Sequence, residues 1–194
     1  MRKLTGIFSV VCLVTMLTGF MCGSEYTGIA NILTIQKNGE VTETITEDFD
    51  KAYYAEEDLK EFVLEEIAAY NRTKEKDSIQ IDKLTVENNK VMMKLTYKTS
   101  EDYQNFTSYT MFHGSVAEAY NAGYNLNVTL QSTTESPSIG RNELLEMGDN
   151  RIIITDAVLD IKVSDNILYI SDNVSLRDDK QVTIGGEGLA YIIY

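Results

Sequence analysis

The sequence predicts an α+β fold, in which antiparallel β-hairpins form a sheet and one main amphipathic helix packs with a few short helices on one face. Short runs of alternating apolar and polar residues recur along the chain, with turn dipeptides between them. Turns this short join antiparallel strands only, because a parallel pair needs a long crossover. One longer segment, residues 55–72, has helical spacing instead.

Two hairpins are predicted, one on each side of this helical segment. Each consists of two runs that are rich in β-branched residues, joined by a dipeptide that favours a tight turn. The first turn is Asn38-Gly39, which is the strongest short signal for a hairpin, and the second is Asn88-Asn89. The four strands are predicted over residues 30–36, 40–47, 79–86 and 91–97.

The main helix is predicted over residues 55–72. Three acidic residues stand in its first turn, where the helix dipole favours negative charge. Its apolar residues share one face, as expected for a helix that packs on a sheet. That face consists of Leu59, Phe62, Val63, Ile67 and Tyr70.

Capping residues predict three shorter helices. Ser100 is predicted to cap the first of them, and Ser115 with Glu118 has the spacing of a capping box at the start of the second. The third is predicted over residues 142–147. The remaining predicted elements are a strand over 126–130, a polar loop over 132–140, and short strands over 151–155, 158–163, 167–170, 181–184 and 189–194.

The first 22 residues have the layout of a secretory signal. Arg2 and Lys3 precede an apolar run, Leu4–Met21, that contains no charged residue. A membrane-spanning helix is the competing interpretation, but glycines and threonines dilute the run. The predicted organisation is a signal peptide over 1–22, a tether over 23–28 and one α+β domain over 29–194, with residues 150–194 as an alternative β-rich subdomain.

Cys22 is the predicted site of lipid attachment. Residues 17–24 resemble a bacterial lipoprotein signal, in which the cysteine becomes the mature N-terminus and carries acyl chains such as palmitate. Gly19 and Met21 depart from that motif, which has an aliphatic residue three positions before the cysteine and a small one directly before it. The alternative is ordinary cleavage near residues 23–24, which releases a secreted protein. Two or more acyl chains would hold the domain at the membrane stably.

Composition excludes several classes of function. The chain carries 17 basic and 30 acidic residues, and a surface with this charge repels nucleic acid. Both cysteines, Cys12 and Cys22, lie in the signal segment, so the predicted domain has no disulfide and no thiolate zinc site. A single histidine, His113, excludes most histidine-based metal sites. No metal and no cofactor is therefore predicted.

Part of the chain resembles small exported lipoproteins of gut Clostridia, which are Gram-positive bacteria. The resemblance covers roughly residues 30–130. It implies a location at the cell surface and no particular activity, because that family has no assigned one. The residues that carry it are Ile45–Asp50, Lys98–Tyr103, Asn105-Phe106, Phe112–Ala119 and Gly123-Tyr124.

His113-Gly114-Ser115 is the first candidate for chemistry. A serine nucleophile needs a base within hydrogen-bond reach, oriented by a third group. His113 lies only two residues from Ser115, and no GxSxG elbow surrounds the serine. Ser115 is better explained as a helix N-cap.

Clustered acidic residues are the second candidate, since two carboxylates could hydrolyse a glycan. With 30 acidic residues in the chain, however, solvated surface explains such clusters. Two Asp-Asn pairs suggest calcium, but neither matches an EF-hand, and the glycine-rich segment 185–188 lacks the lysine of a phosphate loop. The acidic residues are Glu47, Asp48, Asp50, Asp178 and Asp179, and the pairs are Asp165-Asn166 and Asp172-Asn173.

The expected function is therefore a non-catalytic one. The sequence predicts a lipoprotein on the outer face of the cell membrane, held there by the lipid on Cys22, that binds an unidentified protein or glycan. The twelve tyrosines could form a sugar-stacking face, although packing in the core and at its rim explains them better. The alternatives are an envelope or glycan hydrolase that uses a carboxylate pair, a structural or regulatory accessory protein of an envelope complex, and a secreted rather than an anchored protein. No catalytic residue is predicted.

Overall fold

Two β-sheets and four helices are formed by residues 31–51, 55–74 and 76–194, which are the residues that the computed structural model describes. The predicted signal peptide, Cys22 and the tether lie outside them. The helices are α1 (Glu56–Asn71), α2 (Ser100–Thr107), α3 (Val116–Asn121) and α4 (Arg141–Glu146). The strands are β1 (Ile32–Ile35), β2 (Val41–Asp48), β3 (Ile79–Glu87), β4 (Lys90–Tyr97), β5 (Met111–Ser115), β6 (Gln131–Ser132), β7 (Arg151–Thr155), β8 (Asp160–Lys162), β9 (Tyr169–Ile170), β10 (Val174–Asp178), β11 (Gln181–Ile184) and β12 (Ala190–Ile193).

The seven-stranded sheet has the order β10-β11-β8-β1-β2-β4-β3, and the five-stranded sheet has the order β5-β7-β12-β9-β6. The α+β prediction is thereby confirmed. The prediction of antiparallel pairing is wrong for one pair of strands: β1 and β8 run parallel, with Leu33 opposite Ile161. A parallel pair is allowed here because most of the domain, rather than a tight turn, connects the two strands.

Both predicted hairpins are present. Gly39 in the β1–β2 turn has φ of 88°, a left-handed conformation that glycine adopts without strain. In the β3–β4 turn Asn88 and Asn89 have φ of 52° and 58°. Two successive positive φ angles are those of a type I′ turn, whose twist matches that of the flanking strands.

The seven-stranded sheet has one buried face. In β2 the side chains of Val41, Glu43 and Ile45 are buried, while the threonines between them are partly exposed. β4 shows the same alternation, with Val91, Met93, Leu95 and Tyr97 buried. The period of two in the sequence therefore indicates the core-facing side of these strands correctly.

The five-stranded sheet is buried on both faces. Ile153 and Ile192 belong to the hydrophobic cluster shared with the seven-stranded sheet. Ile152 and Ile193 belong to a second cluster, to which α3 and α4 contribute. The sheet therefore lies between the larger sheet and a layer containing α3 and α4. Residues of α1 and α2 pack in the first cluster instead, so the helices do not all lie on one face.

Several predicted elements need correction. Residues 126–130 form no strand: Leu126 and Leu130 are buried in the second cluster, but only Leu130 pairs, in a single bridge with Ile139. Alternating apolar and polar residues therefore also occur in an extended loop that packs on a core. Thr99, not Ser100, caps α2, and its hydroxyl accepts the Asp102 N–H at 3.0 Å. No strand is predicted where β5, β6 and β10 lie. No helix among the described residues is long and apolar enough to cross a bilayer.

Candidate functional site

A polar cleft opens between the β1–β2 turn of the seven-stranded sheet and one end of the five-stranded sheet. It consists of two adjoining depressions of about 170 and 280 Å³ that share Lys37, His113 and Arg151 as lining residues. Tyr194 and Asp165 line the smaller depression. The larger one is lined by more residues of the β1–β2 turn and of β5, and by residues of two further segments, at the start of α2 and in α3. Those residues are Asn38, Gly39, Lys98, Thr99, Ser100, Gly114 and Glu118. We refer to the two depressions together as the cleft.

A larger depression, of about 740 Å³, lies along α1, but it is a less convincing site. All of its described lining residues belong to α1 or to its C-cap, Arg72. They are mostly charged and solvated, and within this lining no polar group from a second element converges on them. Binding sites usually gather side chains from several elements, as the cleft does.

Strand pairing holds the cleft residues in place. His113 on β5 is opposite Ile153 on β7, and Ser115 is opposite Arg151. The main chains of Arg151 and Tyr194 exchange two hydrogen bonds of 3.0 Å. Three segments that are distant in sequence are therefore fixed at one end of the five-stranded sheet, and the β1–β2 turn brings Lys37 to them.

His113 and Tyr194 form a hydrogen-bonded pair at the floor of the cleft. The Tyr194 hydroxyl lies 2.8 Å from His113 Nε2, and the two rings are nearly parallel, at 4°. Burial and the positive charge of Arg151 lower the pKa of His113, with Glu118 acting in the opposite direction. Burial raises the pKa of Tyr194 to about 12. At neutral pH the pair is therefore an uncharged imidazole beside an uncharged phenol.

Ser115 is a helix cap, as predicted. Its hydroxyl accepts the Glu118 N–H at 3.1 Å, and the Glu118 carboxylate accepts the Ser115 N–H at 2.6 Å. These two bonds complete the capping box at the start of α3. Because Ser115 Oγ is used by the helix and His113 Nε2 by Tyr194, the nucleophile hypothesis for this tripeptide has no geometric support.

Gly114 lies between His113 and Ser115, at a position where a side chain has no room. A Cβ at Gly114 would lie 2.8 Å from Glu118 Oε2 and 2.8 Å from the Phe112 ring. We expect Gly114→Ala to lower the free energy of unfolding by about 1–3 kcal/mol, since one of these groups must move. Urea unfolding measures the loss, and the NMR signals of His113 report whether the cleft is distorted.

Gly185→Ala is the matched control for this variant. A Cβ at Gly185 would meet nothing within 4 Å. We expect a change in unfolding free energy of less than about 1 kcal/mol, and in the stabilising direction, because alanine restricts the unfolded chain. Equal losses in the two variants would contradict the crowding at Gly114.

Glu47 and Asp48 are neighbours on β2, and burial together with the charge of Asp48 raises the pKa of Glu47. The other predicted carboxylates are held in separate ion pairs and turns. Asp48 pairs with Lys90 at 2.7 Å, Asp50 pairs with Lys51 at 3.0 Å, and Asp178 accepts the Lys180 N–H at 2.8 Å in the β10–β11 turn. Asp165 is the only residue of these sets that lines the cleft, where it pairs with Lys37 at 3.6 Å. Within the described ranges, no group of three or more His, Cys, Asp or Glu side chains is arranged to hold a metal ion.

The other sequence candidates have structural roles. Residues 185–188 connect β11 to β12, and Gly188 has φ of 88°, as a tight turn requires. Asn173 accepts a hydrogen bond from the Ser171 hydroxyl at 2.7 Å. Tyr97 and Tyr103 are fully buried, in agreement with a core role, whereas Tyr120 is half exposed. Tyr53 and Tyr54 lie outside the described residues.

Sequence reasoning missed two features. The first is Glu43, a carboxyl that is only 6% exposed in the core and accepts a hydrogen bond of 2.8 Å from the Tyr97 hydroxyl. Burial raises its pKa to about 7. The alternation of β2 could have indicated it, because position 43 shares a face with 41 and 45. The second is the cleft itself, whose residues are too far apart in sequence to leave a local signal.

No family model, no curated protein and no solved structure matches the chain.

Proposed function

We propose that the protein is an exported lipoprotein, anchored through Cys22 to the outer face of the cell membrane, whose domain binds a ligand without catalysis. The cleft around Lys37, His113 and Arg151 is the proposed ligand site. Export is supported by Arg2, Lys3 and the uncharged run that follows them. The partner is a protein or a glycan outside the cell.

The observation that carries the binding role is the state of the polar groups in the cleft. The Tyr194 hydroxyl has a raised pKa and stays protonated, so it is not a nucleophile at neutral pH. The Ser115 hydroxyl caps α3. Ser164 and Thr99 also line the cleft, and they donate hydrogen bonds to Asp165 at 2.7 Å and to Asp102 at 2.8 Å. Both carboxyls have lowered pKa values and are therefore weak bases. The cleft thus offers charge and hydrogen bonds to a ligand.

The alternative, a hydrolase with a carboxylate pair, has less support. Among the described residues two carboxylates line the cleft, Glu118 and Asp165, and each already has a partner within the protein. Glu118 accepts the Ser115 N–H, and hydrogen bonds with Ser115 lower its pKa. A general acid needs a raised pKa instead. Burial and the charge of Asp48 raise the pKa of Glu47, as a general acid requires, but Glu47 does not line the cleft.

Lipid attachment is tested by metabolic labelling. We expect labelled palmitate to enter the wild-type chain in a bacterial host and to be lost completely in Cys22→Ala, because a thioether at Cys22 is the proposed attachment. Cys12→Ala is the matched control, since Cys12 is the other cysteine of the chain and lies inside the apolar run. That variant should keep the label.

Two outcomes would contradict the anchor. If the wild-type chain takes up no label while it is exported, the protein is secreted in soluble form. If Cys22→Ala keeps the label, the lipid is attached elsewhere. Fractionation of the same cultures measures location, and we expect loss of the label to move the protein from the membrane to the medium.

A further inference from the structure

The cleft has a local charge opposite to that of the protein. The chain as a whole has a net charge of −13, yet Lys37, Lys98 and Arg151 all line the cleft. They come from different elements: the β1–β2 turn, the residues before α2, and the start of β7. The fold, rather than local sequence, therefore gathers positive charge here.

Two of these three cations form no ion pair with a described residue. Lys37 pairs with Asp165 at 3.6 Å. Neither Lys98 nor Arg151 has a carboxylate within 4.0 Å among the described residues. Glu118 lines the same wall and keeps its negative charge: hydrogen bonds with Ser115 and, at longer range, the charge of Arg151 lower its pKa. Three cations therefore face two carboxylates, Asp165 and Glu118, in the described lining, which leaves an excess of one positive charge in the cleft.

The acidic remainder of the protein does not cancel this local charge. At physiological ionic strength the Debye length is about 8 Å, so exposed charges farther away are largely screened. A small anion in the cleft interacts mainly with the residues that line it. A long polyanion such as nucleic acid would meet the acidic surface as well, which agrees with its exclusion by composition.

We propose that the cleft binds a phosphate group, with Arg151, Lys98 and Lys37 supplying the positive charge. Arginine presents a planar fork that donates parallel hydrogen bonds to phosphate or carboxylate oxygens, and lysine binds phosphate as a point charge. Three cations that come from separate elements can each contact an oxygen of a phosphate group, which presents three acceptor oxygens, whereas a carboxylate presents only two. This inference rests on the proposed function in one respect, the use of the cleft as the ligand site.

His113 makes the proposal measurable. It is the single histidine of the chain, it lines both depressions, and its imidazole signals are therefore unambiguous in an NMR spectrum. Sodium phosphate is titrated into the full-length chain in a non-ionic detergent, at constant ionic strength. We expect a saturable shift of the His113 signals, together with a rise in the pKa of His113, because a nearby anion favours the imidazolium form.

Variants separate binding from a general salt effect. Arg151→Gln removes a charged hydrogen-bond donor, and we expect about tenfold weaker phosphate binding or more. Arg72→Gln is the matched control, because Arg72 is exposed and does not line the cleft, and it should bind phosphate as the wild type does. Since Arg151 lowers the pKa of His113, Arg151→Gln should also raise that pKa without phosphate, which shows that the variant is folded.

Control ligands decide the chemical class. Glycerol phosphate should shift the His113 signals as inorganic phosphate does, whereas a preference for free phosphate alone would indicate an ion site rather than a site for a phosphorylated envelope component. Saturable binding of acetate at lower concentration than phosphate would overturn the assignment, as would a linear shift that chloride reproduces. Lipid attachment is measured separately by labelling, so failure of the titration and failure of the anchor are distinguishable.

Discussion

We expect Glu43→Gln to raise the free energy of unfolding by about 3 kcal/mol at pH 8. In the folded protein the pKa of Glu43 is about 7, against an ordinary value of 4.5, because the carboxyl is buried and the Tyr97 hydroxyl only partly compensates. Each unit of difference corresponds to about 1.4 kcal/mol. At pH 8 the wild type therefore holds a buried charge, whereas glutamine is neutral and can still accept the Tyr97 hydrogen bond.

The sign of the pH dependence follows from the direction of this shift. Below pH 4.5 the carboxyl is protonated in both the folded and the unfolded chain, and the substitution has little effect. Between pH 4.5 and 7 the unfolded chain releases its proton first, so the stability of the wild type falls as the pH rises. Above pH 7 the difference between wild type and variant is constant.

Urea unfolding of both proteins from pH 4 to 8.5 measures the difference directly, because the contributions of other groups cancel. Glu87→Gln is the matched control: Glu87 is exposed at the end of β3, and we expect a difference below about 0.5 kcal/mol at every pH. If the Glu43→Gln variant and the wild type had the same pH profile, the pKa of Glu43 would be the same in the folded and the unfolded chain, as for a solvated carboxyl, and the buried charge would be contradicted.

Removing the charge of Glu43 also changes the surroundings of two neighbouring tyrosines, Tyr97 and Tyr103. The Tyr97 and Tyr103 rings are in edge contact, with centroids 5.1 Å apart, and the Tyr103 hydroxyl is buried without a hydrogen-bond partner among the described residues. Burial and the charge of Glu43 raise the pKa of Tyr103. One acidic group and two phenols thus share an apolar environment, where unpaired polar groups are costly.

Local chemistry accounts for what the sequence predicts well. Asn38-Gly39 and Asn88-Asn89 adopt turns with positive φ, which few other residue pairs allow. Ser115 and Glu118 form a capping box because both partners lie within one helical turn. These elements are decided by neighbours in the chain, so their bounds differ from the predicted ones by about one residue.

Long-range packing decides what the sequence does not predict. β1 pairs with β8, more than 120 residues later, and nothing in Leu33 or Ile161 specifies a partner strand or its direction. The same holds for the cleft, where Lys37, His113 and Arg151 meet only after both sheets have formed. The first 30 residues, which carry the strongest functional signal of the sequence, lie outside the described residues.

The composition of single strands does indicate which sheet a strand joins. β2 reads VTETITED, with alternating burial, and lies in the sheet that has one solvated face. β7 reads RIIIT, and Ile152, Ile153 and Ile154 are all fully buried. A run of consecutive apolar residues in a strand indicates burial on both faces. The layered arrangement therefore leaves a signal in the sequence, although the order of the strands does not.

This layered arrangement predicts that neighbouring substitutions in β7 are equally damaging. Ile153→Ala removes a side chain from the cluster between the two sheets, and Ile152→Ala removes one from the cluster that α3 and α4 cover. Both side chains are fully buried, so each variant should lose about 3–4 kcal/mol of unfolding free energy through lost transfer energy and the cavity left behind. That loss is a large part of the stability of a domain of this size.

A matched pair in β1 should behave differently. Leu33 is fully buried and Thr34 is partly exposed on the opposite face of the seven-stranded sheet. We expect Leu33→Ala to cost about 3 kcal/mol and Thr34→Ala less than about 1 kcal/mol, measured by urea unfolding. If Ile152→Ala were as mild as Thr34→Ala, the five-stranded sheet would have one solvated face and the layer containing α3 and α4 would not be packed on it. Equal losses at Ile152 and Ile153, beside unequal losses at Leu33 and Thr34, are the pattern expected when one sheet is covered on both faces and the other on one.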